Sequence, residues 1–209
     1  VLMGKIRALG SESGDQVREV PSSAAPLCAM GTDPLGLLAV GASTGGIHAL
    51  GRFFSHLPPV CHAPILVTQH LPVPFMDVFA RQLSTAAGRP ARIAAEGMPL
   101  RADEILIAPG DAHLTVEERR GELVVRLTGG RTSSGCLPSV DPMLASIARL
   151  RRPGSVAVIL SGMGRDGVEG AAPFVAAGGS VLVQDEASSA VWGMPRAVAD
   201  AGLAAAVLP

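Results

Sequence analysis

Three polar segments, two of them glycine-rich, each follow a run of apolar residues. Gly41-Ala42-Ser43-Thr44-Gly45-Gly46 follows Leu37-Leu38-Ala39-Val40, and Gln69-His70 follows Ile65-Leu66-Val67-Thr68. Ser161-Gly162-Met163-Gly164-Arg165-Asp166-Gly167 follows Val158-Ile159-Leu160. Ser43, His70 and Asp166 thus supply a hydroxyl, an imidazole and a carboxylate, the composition of a nucleophile, its base and the group that orients the base. Gly41–Gly45 also fits G-x-S-x-G, in which glycines permit a sharp strand-to-helix turn that pushes the serine hydroxyl outward. Backbone N–H groups at the following helix start then face a developing oxyanion. The order Ser43, His70, Asp166 is not the Ser, acid, His order of the α/β-hydrolases. Triads are defined by geometry, so the order excludes that family and leaves the chemistry open.

Each residue also has a plainer reading. The Ser43 turn suits a bound phosphate about as well as a nucleophile. Ser43 fills the middle of the glycine pattern, so it is not G-x-G-x-x-G, and no Lys follows Gly46 as a P-loop needs. His70 alone fits a hydrogen-bonded structural histidine, and Asp166 alone fits the cap of a helix starting near Gly167. Met163 alone reads as core. His48 and His56 fall in a helical stretch and His62 in a loop, and all three read as surface or packing residues. His113, in Pro109-Gly110-Asp111-Ala112-His113, also follows a strand end and stays an open candidate. Taken singly these signals are weak; three at one sheet edge are strong.

That edge has to be built by the rest of the chain. The 209 residues allow one good-sized domain and a tail. With 48% hydrophobic and 17% charged residues the chain folds, despite 25 Gly and 17 Pro. Those two residues supply tight turns, and with 5 Phe, 1 Trp and no Tyr the core must be aliphatic. Strands are expected over Leu35–Val40, Pro64–Gln69, Ala91–Ala95, Glu104–Ala108, Val156–Ser161, Ser180–Gln184 and Ala204–Leu208. Most are continuously apolar, as parallel strands covered on both faces must be. Helices are expected over Gly46–His56, Pro74–Ala87, Val140–Leu150, Gly167–Ala177 and Pro195–Ala201. His113–Glu117 and Glu122–Thr128 flank Glu118-Arg119-Arg120-Gly121 and read as an inserted β-hairpin. The expected fold is α/β: a doubly wound, mostly parallel sheet, Rossmann-like in three layers, with that hairpin inserted. Its site lies beyond the carboxyl ends of the strands.

Residues 1–34 differ. Leu2, Met3, Ile6 and Leu9 recur at helical spacing, and Gly10–Asp33 is rich in Ser, Gly, Pro and Ala. With Val1 in place of an initial Met, this stretch reads as a linker or tail from a longer parent chain, with the catalytic domain over 35–209. The net charge of −1, from 17 basic and 18 acidic residues, lacks the basic excess of a nucleic-acid binder. No apolar run of about 18 residues is present, so no transmembrane helix is expected. Cys28, Cys61 and Cys136 are odd in number, far apart and without C-x-x-C spacing. Their spacing argues against a disulfide framework or a zinc site and fits a reducing cytoplasm.

The motifs together resemble the catalytic domain of the chemotaxis protein-glutamate methylesterase (CheB) family. The matching stretches are GASTGG at Gly41–Gly46, TQHL at Thr68–Leu71, IAPGDAH at Ile107–His113, PSVD at Pro138–Asp141, GMGRDG at Gly162–Gly167, and EAS at Glu186–Ser188 with GMPR at Gly193–Arg196. They occur in family order from Leu35 to the C-terminus. The resemblance implies that Ser43 is the nucleophile, His70 the general base and Asp166 the acid orienting it, with Thr44 and Met163 shaping the site and stabilising the oxyanion. It implies hydrolysis of glutamyl methyl esters on the cytoplasmic signalling helices of methyl-accepting chemoreceptors, with methanol released, and in many members deamidation of receptor glutamines. No metal or cofactor is implied. The family usually carries an N-terminal receiver domain, for which 34 residues are too few, and often has basic residues before Pro138, where this chain has Ser134-Gly135-Cys136-Leu137. The competing readings are a Rossmann-like phosphate- or nucleotide-binding protein using Gly41–Gly46, and a receptor-docking module without catalysis.

Overall fold

The computed structural model describes residues 27–209. The helical spacing of Leu2, Met3, Ile6 and Leu9, and most of the expected linker, lie outside the described residues. Elements follow in the order β1 (Leu37–Ala42), α1 (Gly46–Ser55), β2 (Ile65–Gln69), a 3₁₀ turn (Val73–Phe75) leading into α2 (Met76–Ala87), β3 (Ala91–Ile93) and β4 (Ile105–Ile107). Then come β5 (His113–Arg119), β6 (Glu122–Thr128), α3 (Val140–Leu150), β7 (Ser155–Ile159), α4 (Val168–Ala176), β8 (Ser180–Gln184), α5 (Met194–Asp200) and β9 (Ala206–Leu208). The strand and helix order matches the sequence expectation throughout, with ends displaced by a few residues.

Seven strands form one sheet in the order β3-β4-β2-β1-β7-β8-β9, every neighbouring pair parallel. The continuous apolar runs are explained by the two-residue period of a strand, which sends alternate side chains to opposite faces. Leu38, Val40, Ile65 and Val67 join Phe53, Phe54 and Phe79 of α1 and α2 on one face. Leu37, Ala39 and Leu66 join Val140, Met143 and Phe174 on the other, with α3, α4 and α5. The three layers of a doubly wound fold follow. The hairpin β5–β6 pairs antiparallel as a separate two-stranded sheet and leans on α3, whose Ser146 Oγ accepts from the Val116 N–H at 3.0 Å.

The strand order reverses direction at β1: the chain builds outward through β2 to one edge and through β7 to the other. The connections leaving β1 and β7 therefore diverge and open a crevice at their carboxyl ends. Residues in the stretch expected as linker already lie along the sheet, at the amino ends of β8 and β9. The Cys28 N–H donates to Ala204 O at 2.8 Å and the Gly31 N–H to Ser180 Oγ at 2.9 Å. Among the described residues no helix is long and apolar enough to cross a membrane.

Candidate active site

Ser43 emerges from the central strand and is held on three sides. Its N–H donates to Ser161 O at 3.0 Å, and its carbonyl accepts from the Gly46 N–H at 2.8 Å and from Gln69 Nε2 at 2.9 Å. The turn depends on glycine at two points. Gly45 has φ +77°, and a Cβ there would sit 2.8 Å from Ser161 Oγ. A Cβ on Gly162 would lie 2.9 Å from Ser43 Cβ, so only glycine lets the loop after β7 pass beside the serine. The Thr44 and Met163 N–H groups make no hydrogen bond among the described residues. Met163, read alone as core, is instead 69% exposed at this edge.

His70 follows β2, and its N–H donates to Ala42 O at 3.1 Å, which ties the imidazole's backbone to the serine's strand. Its Nε2 lies 2.7 Å from Asp166 Oδ2. A carboxylate can only accept, so the ring proton sits on Nε2 and Nδ1 carries the free lone pair. No hydrogen bond joins Ser43 Oγ to His70 in this structure, a looseness common where no substrate is bound.

Asp166 is 1% exposed, and both its oxygens are occupied. Oδ1 accepts from Ser139 Oγ at 2.6 Å and Ser134 Oγ at 3.0 Å, and Oδ2 accepts from the Val140 N–H at 2.7 Å as well as from His70. Burial by itself raises a carboxyl pKa. Here the bonds from His70, Ser139 and Val140 outweigh it and hold Asp166 well below the usual carboxylate range. The helix-cap reading of Asp166 is therefore overturned. The residue that caps α4 is Asp141, from the first turn of α3, whose Oδ1 accepts from the Gly167 N–H at 2.9 Å and the Gly170 N–H at 2.8 Å. Burial, with the Asp166 charge adding to it, pushes the Asp141 carboxyl up to about 7.

Sequence reasoning passed over Gln69, Ser139 and Asp141, although PSVD at Pro138–Asp141 was one of its matching motifs. The open candidate His113 is buried away from the crevice. Its Nδ1 accepts from the Ser139 N–H at 3.0 Å and its Nε2 donates to Gly130 O at 3.2 Å, so it steadies the residue that in turn bonds Asp166. His48, His56 and His62 are exposed. Cys136 was set aside on spacing, yet its thiol lies within 4.8 Å of donor atoms of both His70 and Asp166.

A seven-stranded parallel sheet wound on both faces, with a hydroxyl, an imidazole and a buried carboxylate at its switch point, defines a doubly wound α/β protein. Residues 38–209 match the family described as CheB methylesterase, and the chain belongs to that family. A protein from Rhodopseudomonas palustris (strain BisB5) named protein-glutamate methylesterase/protein-glutamine glutaminase is 40% identical over 229 residues, covering 100% of this chain and 60% of that protein. One of the same name from Azospirillum brasilense is 45% identical over 174 residues, covering 83% of this chain and 44% of that protein. The chain thus spans 60% or less of the length of these curated relatives. The crystal structure of the Thermotoga maritima CheB methylesterase catalytic domain matches with a TM-score of 0.80 at 34% identity, over 84% of this chain and 93% of that one.

Proposed function

We propose that this chain is a protein-glutamate methylesterase domain, and that Ser43 is its nucleophile. The observation that carries the reading is the 2.7 Å bond from His70 Nε2 to a buried, fully hydrogen-bonded Asp166 at the strand edge that also presents Ser43. Family membership and the names of the relatives support the same chemistry. His70 Nδ1 takes the Ser43 proton as Oγ attacks the ester carbonyl of a methylated glutamate. The N–H groups of Thr44 and Met163 stabilise the oxyanion, and methanol leaves with the proton from His70. Water then enters, is deprotonated by the same nitrogen, and releases the glutamate. Asp166 holds the tautomer and stabilises the imidazolium without itself taking a proton. An amide carbonyl can enter the same path, so glutamine deamidation with loss of ammonia belongs to the reading, as the relatives' double name suggests.

The substrate is assigned to the cytoplasmic signalling helices of chemoreceptors, and the expected receiver domain to a longer parent chain, which the partial coverage of the relatives supports. The domain works in the cytoplasm on this reading. The phosphate-cradle alternative for Gly41–Gly46 gains no support from the family match or the relatives' names.

Incubation with a serine-directed fluorophosphonate tests the assignment. One equivalent should attach to Ser43 in the wild type and none in Ser43→Ala, and methanol release from methylated receptor should fall by on the order of 10⁶-fold in that variant. Normal turnover by Ser43→Ala removes the nucleophile assignment.

A further inference from the structure

The site holds a feature that ester hydrolysis does not use. One donor atom each from His70, Cys136 and Asp166 lie within 4.8 Å of one another. The turn carrying the thiol is tied to the carboxylate itself. Thr132 Oγ1 donates to Cys136 O at 3.3 Å, the Cys136 N–H donates to Ser134 Oγ at 3.4 Å, and Ser134 Oγ donates to Asp166 Oδ1 at 3.0 Å. The thiol meets only a weak acceptor, Ser134 O at 3.8 Å. His70 is partly exposed, with 15% of its side chain open to solvent, so an ion has a way in.

We propose that His70, Cys136 and Asp166 form an inhibitory site for a thiophilic divalent cation, zinc above all, that switches the esterase off. A thiolate, an imidazole and a carboxylate are a zinc donor set, and three protein ligands with one open position suit its tetrahedral geometry. Hard cations such as Mg²⁺ prefer all-oxygen sites and should not compete. Bonds of about 2.0–2.3 Å place tetrahedral donors roughly 3.3–3.8 Å apart. The His70–Asp166 contact of 2.7 Å must therefore open slightly and the thiol close in, which a surface turn allows. The charges balance: a divalent ion meets one thiolate and one carboxylate. The thiol proton goes to solvent, and the imidazole proton moves from Nε2 to Nδ1 as Nε2 binds the metal. The nitrogen that should deprotonate Ser43 then already carries a proton, and the base is lost.

The inference rests on the His70 assignment only for its inhibitory consequence. Binding is therefore read separately, by titrating the wild-type chain with Co²⁺ and following the near-ultraviolet thiolate-to-cobalt charge-transfer band, then displacing it with Zn²⁺. One equivalent should bind, and Cys136→Ala and Cys136→Ser should lose the band while Ser43→Ala keeps it. In the esterase assay Zn²⁺ should inhibit reversibly with chelator and Mg²⁺ should not. Each Cys136 variant, compared with its own metal-free rate, should need about tenfold more Zn²⁺ or beyond. A band that is absent, or that persists in both Cys136 variants and so belongs to Cys28 or Cys61, overturns the site. A band without any esterase activity in metal-free protein leaves the site standing and removes the functional reading instead.

Discussion

The two ends of the parallel sheet each hold a cysteine, a carboxylate and a basic side chain, and they use them in opposite ways. At the carboxyl ends stand Cys136, Asp166 and His70. At the amino ends, in the turns that lead into β2, β3 and β4, stand Cys61, Asp103 and Arg89. Arg89 is all but buried, and each of its three guanidinium nitrogens has an acceptor. It donates to Pro58 O, to Ala87 O at 3.4 Å, to Cys61 Sγ at 3.3 Å and to Asp103 Oδ1 at 3.4 Å. Asp103 in turn accepts from the Cys61 N–H at 2.7 Å and the His62 N–H at 3.3 Å. Burial raises the Asp103 carboxyl, but bonds from Cys61 and His62, with Arg89 beside it, carry it below the usual range. Each Arg89 nitrogen and Asp103 Oδ1 are engaged, and a guanidinium does not lose its proton. At the other end the basic side chain is an imidazole with one nitrogen committed and one free, beside the Thr44 and Met163 N–H groups, which make no hydrogen bond among the described residues. A cation with every nitrogen engaged makes a clamp, whereas an imidazole with one free nitrogen keeps a base available.

Disarming that base should have the largest effect. Asp166→Asn keeps the shape but its amide can donate to His70, which favours the wrong tautomer and should lower kcat on methylated receptor by up to about 10⁴-fold. The melting temperature should also drop, since Ser139, Ser134 and Val140 all bond this carboxylate. Near-normal kcat would reduce Asp166 to a structural anchor.

Breaking the clamp should do the reverse. Arg89→Ala leaves the Pro58 and Ala87 carbonyls without this donor and Asp103 without its cationic partner, and should cost about 2–3 kcal/mol in urea unfolding. Because the cluster lies at the far end of the strands, kcat per folded molecule should stay within about twofold, an expectation of independent distant sites. A tenfold loss of kcat without loss of stability would show that the two ends are coupled.

The smallest effect sharpens the comparison within the active-site end, where two buried carboxylates are pushed apart. Asp141 is raised to about 7, against roughly 3.9 in an unfolded chain. Between those values the folded state binds more protons than the unfolded, so this group's contribution falls as pH rises from about 4 to 7 and is level above. Asp166 has the opposite sign: its contribution is present above about 3.9 and is lost as pH falls through its depressed value. Asp141→Asn keeps an acceptor for Gly167 and Gly170 and cannot ionise. Its melting temperature should therefore gain on the wild type between pH 5 and pH 8. Parallel curves would mean that Asp141 is ionised in the folded protein throughout.

The amino-acid sequence by itself determined the element order, the doubly wound sheet and the gathering of Ser43, His70 and Asp166 at one edge. Each of those rests on short-range pattern: alternation of apolar runs with helical spacing, and the rule that polar residues just past parallel strands share one edge. Tertiary structure decided what the pattern does not encode. Asp166 looked equally able to cap α4, and only the approach of α3 hands that task to Asp141 and frees Asp166 for His70. His113 followed a strand end like the others, yet the path of the hairpin turns it inward to Ser139. Cys136 had no metal-ligand spacing, since its neighbours in space lie 66 and 30 positions away along the chain. Which groups meet at 3 Å depends on loop paths and helix docking, and those are fixed by burial of the whole core rather than by any local run of residues.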